Sequence, residues 1–515
     1  MDISNAQNDQ GQGPFDLPLF NDPSVRALSR VGVIDVGSNS VRLVIFDGAA
    51  RSPAYFFNEK IMCALGEGLA DTGRLSPTGR QRALDAMRRF KLISDGLETV
   101  SLTAVATAAV REAEDGPEFV AEVERETGIK IFVIDGSEEA RLSAQGVLLG
   151  WPGSYGLVCD IGGSSMELAE ISAGEVGKRE TSALGPLKLR DVPGGRKERK
   201  AYITDAVNTL AKAMGPQRNR LFLVGGSWRA IARIDMERRD YPLHVLHEYR
   251  MSQKSVNATL AYIEESDLEQ LRKRCGVSSQ RMSLVPLAAE VLKQVIRTFQ
   301  PHDIAVSSYG IREGMLYEQM PQKLRERDPL IEACHFSEAK DARLPGFGPE
   351  LYKFLKPLFK DASWERRRLV KAACLLHDVS WRAHPDYRAE TCFDYVTRAN
   401  LGGLRHSERV FLGLSLLHRY RNSRTGTRFD PLFDLLDENS VKEAEILGKA
   451  MRLGAMLAPR NGKLSQELVW SAETKHLKLA MSKKTEPLFG EVARARFKSL
   501  TNALDATSEL IVTSK

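Results

Sequence analysis

The sequence predicts an α/β protein with two related lobes, followed by an all-α domain. The lobes are predicted by a repeat, because residues 33–43 and residues 158–168 share one pattern. In both segments two apolar residues precede Asp, an apolar residue and Gly follow it, and Ser and Leu come at matching later positions. The all-α domain is predicted by the helical spacing of apolar residues after about residue 325.

Each copy of the repeat is typical of a strand that ends in a tight turn and returns as a second strand. Asp35 and Asp160 stand at matching positions in front of the two turns. Because glycine carries no Cβ, the amide N–H groups of such a turn can converge on an anion. Two such turns, on lobes facing each other across a cleft, are the layout of the actin-like (ribonuclease H-like) fold. The candidate phosphate-binding residues are Gly37, Ser38, Asn39, Ser40, Gly162, Gly163, Ser164 and Ser165.

The second turn is also flanked by two carboxylates, Asp160 and Glu167. Carboxylate oxygens suit a divalent metal, and the amides of the turn suit a phosphate bound to that metal. We therefore predict a Mg²⁺ site at Asp160 and Glu167, with Asp35 as a further ligand through water. The alternative is a plain glycine hairpin with one solvated Asp.

Composition restricts the partners. Apolar residues make up 43% and charged residues 27% of the 515-residue chain, which is ordinary for a soluble globular protein. No stretch approaches 18 consecutive apolar residues and the polar start lacks the features of an export signal, so we expect a cytoplasmic protein with no membrane partner. Six Cys without a C-x-x-C pair predict free thiols. The net charge of +6 permits a polyanionic partner, although each basic cluster alone is more typical of a solvated helix face.

The first lobe is predicted over residues 30–141, after a loose tail over residues 1–29. Ser76-Pro77 is a typical helix start, with a capping residue followed by a first-turn proline. The predicted strands cover residues 31–35, 41–47, 100–106 and 129–134, and a helix covers residues 80–92.

The helix that leaves the first lobe carries the candidate general base. Ser137 is its predicted N-cap, which places Glu138 and Glu139 in the first turn. The helix dipole alone favours acidic residues there. This helix leads into the second lobe, however, so its start is expected beside the cleft. A carboxylate at that point, such as Glu139, can accept a proton from water.

The second lobe is predicted over residues 142–320. An apolar strand over residues 221–224 runs into Gly225, Gly226 and Ser227, which are further candidate phosphate-binding residues. A simple strand–helix turn explains this short motif equally well. The last strand is predicted over residues 304–308, and the next residues open a helix that closes the lobe.

Taken together, these motifs resemble the exopolyphosphatase / guanosine pentaphosphate phosphatase (Ppx/GppA) family over about residues 30–320. The resemblance implies two actin-like lobes, Mg²⁺ dependence, with K⁺ as a candidate stimulating ion, and hydrolysis of a terminal phosphoanhydride. The motifs, in order, are D-V-G-S-N-S at 35–40, T-A-A-V-R at 107–111, S-E-E-A-R at 137–141, D-I-G-G-S-S-M-E-L at 160–168, G-G-S at 225–227 and G-I-R-E-G at 310–314.

The resemblance also implies roles for single residues. Glu139 matches the catalytic glutamate of the family, and Arg111 matches an arginine near the phosphate. Asp160 and Glu167 match the carboxylates of the second phosphate loop. One departure is Ser164, which stands where the family usually has a third glycine. Its short side chain adds a donor, so we expect tuned activity and not lost activity.

The C-terminal domain is predicted as all-α and HD-like over residues 321–515. His377-Asp378 follows an apolar helix, as in metal-dependent HD phosphohydrolases. A complete site needs an upstream His, for which His335 is the candidate, and a later helical Asp, which the helix around residues 450–454 lacks. We therefore favour a degenerate HD-like fold in which His377 and Asp378 serve structure.

Three functions compete. The first is hydrolysis of inorganic polyphosphate or of guanosine pentaphosphate, with no DNA partner and a homodimer as the family-based expectation. The second is a sensor that binds such anions without turnover, and the third is an HD-type nucleotide hydrolase. The set Glu139, Asp160 and Glu167 favours the first, with exopolyphosphatase activity preferred because the C-terminal domain and the basic clusters suit a long anion.

Overall fold

The computed structural model describes residues 27–458 and 462–513. The chain divides after Arg327 into two compact units, a few residues beyond the predicted change at residue 320. Most of the predicted tail lies outside the described residues, but its last part, Ala27 to Ser29, belongs to the first strand. No described helix has the length and apolar character needed to span a membrane, and all six cysteines are free.

The first lobe of the N-terminal unit is built on a five-stranded sheet. Its strands β1 and β2 form the predicted hairpin, while β4 and β5 run parallel to β1. The strand β3, which the sequence analysis did not predict, pairs antiparallel with β2. The order is β3-β2-β1-β4-β5. The strands are β1 (Ala27–Val36), β2 (Ser40–Ala49), β3 (Ser52–Met62), β4 (Ser101–Ala106) and β5 (Ile131–Val133).

The second lobe repeats this sheet. Its strands are β6 (Gly156–Ile161), β7 (Met166–Ser172), β8 (Glu175–Ser182), β9 (Arg220–Val224), β10 (Tyr249–Met251) and β11 (Asp303–Val306). The order β8-β7-β6-β9-β11, with the same strand directions, reproduces the first sheet, and β10 adds an antiparallel edge strand. This duplicated topology confirms the two-lobed α/β fold predicted from the repeat.

Helices cover the sheets, and their starts follow local sequence. The hydroxyl of Ser76 accepts from the N–H of Gly79 at 3.2 Å, as the Ser-Pro signal predicts. Ser137 is not the N-cap of α5: the carboxylate of Asp135 accepts from the N–H of Glu138 at 2.7 Å instead. The helices of this unit are α1 (Leu69–Thr72), α2 (Pro77–Gly96), α3 (Ala108–Glu112), α4 (Gly116–Thr127), α5 (Gly136–Gly150), α6 (Pro186–Arg190), α7 (Arg196–Met214), α8 (Gly226–Arg238), α9 (Gln253–Glu265), α10 (Leu268–Cys275), α11 (Ser279–Met282), α12 (Val285–Phe299), α13 (Ile311–Glu318) and α14 (Gln322–Arg325).

Helices α5 and α13 cross in direct backbone contact. A Cβ placed on Gly314 of α13 would lie 1.8 Å from the carbonyl oxygen of Leu142, and one on Gly146 of α5 would lie 2.2 Å from that of Gly310. Around this crossing, apolar residues of both lobes join one buried cluster, for example Val33 of β1 and Val158 of β6. The helix pair therefore forms the centre of the unit, between the two sheets.

The C-terminal unit is mainly helical, as predicted, but it is not all-α. It ends in a sheet of order β12-β13-β14, which the sequence analysis missed. Its elements are the helices α15 (Pro329–Asp341), α16 (Phe347–Leu355), α17 (Trp364–Leu375), α18 (Arg388–Arg398), α19 (His406–Tyr420), α20 (Glu438–Leu457) and α21 (Glu491–Ala503), the short 3₁₀ helices Lys356–Phe359, Pro385–Tyr387, Asp430–Leu435 and Glu486–Leu488, and the strands β12 (Glu467–Ser471), β13 (His476–Ser482) and β14 (Thr507–Thr513).

The His377-Asp378 pair has protein partners in this unit. The guanidinium of Arg343 donates to both carboxylate oxygens of Asp378, at 2.8 and 2.6 Å. The Nδ1 of His377 lies 2.8 Å from the carbonyl oxygen of Cys374. Over residues 27–458 and 462–513, no group of three or more His, Cys, Asp or Glu residues is placed to hold a metal. These contacts agree with a structural role, and the HD-like ancestry stays a prediction.

The glycine contact between α5 and α13 gives a stability prediction. Gly314→Ala should lower the unfolding free energy of the N-terminal unit by about 3 kcal/mol, because the added methyl group forces two helix backbones apart. Gly96→Ala is the control, since a Cβ there meets nothing within 4 Å. We expect it to be neutral or slightly stabilising in the same urea titration. Equal stability of the two variants would contradict the prediction.

Candidate active site

The two predicted turns close in the same way. In the first lobe the N–H of Gly37 donates to the carbonyl oxygen of Ser40 at 3.0 Å. In the second lobe the N–H of Gly162 donates to the carbonyl oxygen of Ser165, also at 3.0 Å. The repeat in the sequence is therefore also a repeat in backbone hydrogen bonding.

The turns contact each other across the two lobes. The hydroxyl of Ser164 donates to the hydroxyl oxygen of Ser38 at 3.0 Å. Nearby, the side-chain amide of Gln280 donates to the side-chain oxygen of Asn39 at 3.0 Å. Ser164 thus uses the additional donor that distinguishes it from glycine to join the two turns.

The hairpins differ at one paired position. Asp35 on β1 lies opposite Arg42 on β2, whereas Asp160 on β6 lies opposite Glu167 on β7. The same place in the duplicated hairpin therefore holds a cation in the first lobe and a carboxylate in the second. The two copies have diverged in charge while keeping their backbone.

A cavity of about 190 Å³ lies where the two turns meet the starts of α5, α8 and α13. It brings together most of the predicted site residues from both lobes. Those that line it are Asp35, Gly37, Ser38, Asn39, Ser40, Glu139, Asp160, Gly162, Gly163, Ser164, Ser165, Gly225 and Gly226.

Three predicted site residues do not line this cavity. Ser227 is fully buried in α8, and Glu167 is buried beneath the second turn. Arg111 donates to the carbonyl oxygen of Ile134 at 2.7 Å, and the same nitrogen lies 3.8 Å from a carboxylate oxygen of Glu139. Arg111 therefore reaches the site through Glu139, and Ser227 makes no contribution to its surface.

Two buried carboxylates at or near the cavity lack enough donors. Oε2 of Glu139 and Oε2 of Glu167 are buried without a hydrogen-bond partner among the described residues. Burial and the neighbouring charges of Glu167 and Asp160 raise the pKa of Glu139 well above its usual range. Burial and the charge of Asp160 raise the pKa of Glu167 to about 8. The hydroxyls of Ser143 and Thr181 donate to Asp160 and to the other oxygen of Glu167, respectively.

The carboxylate oxygens of Asp35, Asp160 and Glu167 are the type of ligand that a divalent cation prefers. Hard carboxylate oxygens that are buried and unpaired are the groups that such an ion would satisfy. Within the described residues, however, no three His, Cys, Asp or Glu side chains are placed to hold a metal, so waters and substrate phosphates would have to complete the coordination of Mg²⁺. Asp35, Asp160 and Glu167 therefore stay a predicted ligand set.

Five cations also line the cavity, and the sequence analysis selected none of them as site residues. Within the described residues, four of them form no ion pair, while Arg312 lies 4.0 Å from Asp35. Desolvation, followed by the charge of Arg281, lowers the pKa of Lys60 to about 8. Such crowding of positive charge, on side chains that are half-buried or exposed, is stabilised by an anion. The five residues are Arg42, Lys60, Arg229, Arg281 and Arg312.

Comparison with known protein families shows which family this chain belongs to. Residues 44–323 match the Ppx/GppA phosphatase family. The chain belongs to the Ppx/GppA phosphatase family. Residues 356–511 match the family domain described as "Exopolyphosphatase, C-terminal". The resemblance found in the motifs is therefore confirmed, and the actin-like fold with it.

Known proteins similar to this chain carry different names. Over 448 residues the chain is 24% identical to a "Guanosine-5'-triphosphate,3'-diphosphate pyrophosphatase" of Aeromonas hydrophila, with 83% of this chain and 87% of the relative covered. Over 323 residues it is 25% identical to "Exopolyphosphatase 1" of Mycobacterium bovis, with 59% and 92% covered. The solved structure of an exopolyphosphatase from Cytophaga hutchinsonii is 26% identical, with a TM-score of 0.52 over 57% of this chain and 98% of that one.

Three of the five cavity cations stand at sequence positions that could have identified them. Arg42 follows the first turn at the position that Glu167 holds in the second, and Arg312 belongs to the G-I-R-E-G motif of this Ppx/GppA protein. Arg229 lies two residues after the G-G-S motif. Lys60 had no such signal because it lies on the unpredicted strand β3, and Arg281 lies on a four-residue helix without periodicity.

The raised pKa of Glu167 predicts a pH dependence of stability in the absence of divalent cations. Between its usual value near 4.5 and about 8, folded Glu167 holds a proton that the unfolded chain has lost. This contribution to stability is complete below pH 4.5 and is lost as the pH rises through 8. In EDTA, Glu167→Gln should therefore match the wild type near pH 5 and unfold at a higher temperature than the wild type at pH 8.5.

Glu170→Gln, on the same strand but partly exposed, serves as the control and should follow the wild type at both pH values. Adding Mg²⁺ at pH 8.5 should stabilise the wild type more than Glu167→Gln. Parallel stability curves for wild type and Glu167→Gln would show that Glu167 does not carry this effect.

Proposed function

We propose that this protein hydrolyses the terminal phosphoanhydride of inorganic polyphosphate and releases orthophosphate. The observation that carries the proposal is one cavity lined both by five cations and by the buried carboxylate of Glu139, whose Oε2 has no hydrogen-bond partner among the described residues. A phosphoryl group in transfer needs its charge neutralised on one side and an attacking water oriented on the other. The cavity supplies both kinds of group.

Glu139 is the proposed general base. Its carboxylate lines the cavity, and Oε2 has no hydrogen bond to occupy it. A raised pKa brings a carboxylate closer to the pH at which it can accept a proton from water. The guanidinium of Arg111, 3.8 Å away, stabilises the charged form of Glu139. These features suit proton transfer better than they suit a static structural carboxylate.

The turns and the cations would hold the substrate. The N–H groups of two glycine–serine turns can cradle non-bridging oxygens. Arg42, Lys60, Arg229 and Arg281 need a counter-charge, which successive phosphates would supply. A Mg²⁺ ion held by Asp160, Glu167 and Asp35 would add Lewis-acid stabilisation of the phosphate charge.

Guanosine pentaphosphate is the second candidate substrate. The relative named "Guanosine-5'-triphosphate,3'-diphosphate pyrophosphatase" matches 83% of the chain, more than the 59% matched by "Exopolyphosphatase 1". Polyphosphate is favoured by the cavity itself, because no aromatic side chain among the described residues lines it to offer a base a stacking surface. The cavity-lining carboxylate of Glu139, whose Oε2 has no hydrogen-bond partner among the described residues, favours turnover over a sensor that only binds such anions. A homodimer and a cytoplasmic location stay predictions.

Replacing the proposed base tests the mechanism. Glu139→Gln should lower kcat by a factor of about 10² to 10⁴ while leaving the affinity for tripolyphosphate within a few-fold of the wild type. Glu138→Gln, the adjacent residue, should keep nearly full turnover, because Glu138 pairs with Arg141 instead of lining the cavity. Retained turnover in Glu139→Gln would remove Glu139 from this role.

Phosphate release decides between the substrates. Polyphosphate and guanosine pentaphosphate should be compared at one ionic strength, because phosphate contacts weaken with salt. Each is assayed with Mg²⁺, with Mg²⁺ plus K⁺, and with EDTA. We expect release from polyphosphate that requires Mg²⁺. Faster release from guanosine pentaphosphate would select the second candidate, and release from neither would overturn the proposed function.

A further inference from the structure

Arg312 occupies an unusual position among the cavity cations. It is the second residue of α13, and only 13% of its side chain is exposed. Its guanidinium lies 4.0 Å from Oδ2 of Asp35, a distance too long for a hydrogen bond. Its Nε is buried without a hydrogen-bond partner among the described residues. Arg312 is therefore close to a carboxylate but not held by it.

The backbone of Arg312, in contrast, is firmly placed. The carboxylate of Glu313 accepts from the N–H of Gly310 at 2.7 Å and from the hydroxyl of Tyr55 at 2.7 Å. The first bond caps the start of α13, and the second ties that start to β3 of the first lobe. The glycine contact with α5 fixes the rest of the helix. The anchor is rigid, while the guanidinium at its end has open hydrogen-bonding capacity.

Arg312 also lies near both charge groups of the cavity. It is 4.0 Å from Asp35, and it lines the same cavity as the cations Arg42 and Arg229. A guanidinium in this position can contact a phosphoryl group that lies between Glu139 and the other cations. Its planar fork suits two oxygens of such a group at once.

We propose that Arg312 is a catalytic residue that leaves Asp35 and binds the phosphoryl group under attack. This inference rests on the proposed function. In the step, water forms a new P–O bond as the bond to the leaving phosphate breaks, and the leaving oxygen keeps the electron pair. Glu139 takes the proton of the water. Arg312 exchanges no proton and neutralises the charge on the equatorial oxygens.

Tyr55 is then a positioning residue, because its hydroxyl acts on Arg312 through Glu313 and the start of α13. This hydroxyl lies on β3, one of the elements that the sequence pattern did not reveal. Removing it leaves the bond between Glu313 and Gly310 in place. Tyr55→Phe should therefore lower kcat several-fold with little change in KM, whereas a purely structural loss would lower stability and leave the kinetic constants of the folded enzyme unchanged.

The main test uses Arg312→Gln and Arg312→Lys in the full-length protein, with Arg179→Gln on the exposed face of β8 as control. We expect Arg312→Gln to lower kcat by about 10² or more, with KM within about five-fold of the wild type. Arg312→Lys should recover only part of this loss, because an ammonium cannot bind two oxygens as a fork. If Arg312 merely paired with Asp35, lysine would restore full activity.

A second measurement does not depend on turnover. Calorimetric titration with inorganic phosphate and with orthovanadate, which adopts the five-coordinate geometry of phosphoryl transfer, compares ground-state and transition-state contacts. Arg312→Gln should weaken vanadate binding at least ten-fold and phosphate binding no more than three-fold. Equal losses, or an Arg312→Gln enzyme with kcat within three-fold of an active wild type, would overturn the inference. If the wild type releases no phosphate, the proposed function fails, and the vanadate titration still tests the contact.

Discussion

The crossing of α5 and α13 is the constraint on which the site depends. Glycine at positions 146 and 314 lets the two helix backbones touch, and neither position has space for a methyl group. The start of α5 carries Glu139, and the start of α13 carries Arg312. The relative placement of the proposed base and of the cation beside it is therefore set by backbone contact, which is stiffer than contact through flexible side chains.

The two lobes share one backbone arrangement but differ in a charged residue at the site. The two sheets share their order, and the two turns share the same closing hydrogen bond. At the paired position after each turn, however, one lobe has Arg42 and the other has Glu167. The difference is local to this position, because the cavity receives cations and carboxylates from both lobes: Arg42 and Asp35 come from the first lobe, and Arg229 and Asp160 from the second. A single cavity between them can receive a metal-bound anion.

The sequence revealed those parts of the fold and site that repeat or stand beside glycine. The hairpins at Asp35 and Asp160 and the helix of Glu139 were found because apolar runs and small residues mark them. The strand β3 escaped notice because, after its first two residues, one face is half-buried and the other exposed, and polar residues interrupt the pattern. In the terminal sheet, β13 does alternate buried and half-buried residues, and the sequence analysis missed that signal. Lys60 and Arg281 join the cavity only through tertiary packing, which no local signal reports.

The contact between Ser164 and Ser38 has a consequence for how the cavity admits its contents. A neutral side-chain hydrogen bond contributes about 1 kcal/mol, and the nearby bond between Gln280 and Asn39 adds a similar amount. The crossing of α5 and α13, in contrast, is held by packed helix backbones. The contact between the two helices is therefore stiff, whereas the hydrogen bonds at Ser38 and Asn39 of the first turn are weak. Breaking these two hydrogen bonds costs little free energy. A bound polyanion that contacts both turns would therefore determine how closely the turns approach each other.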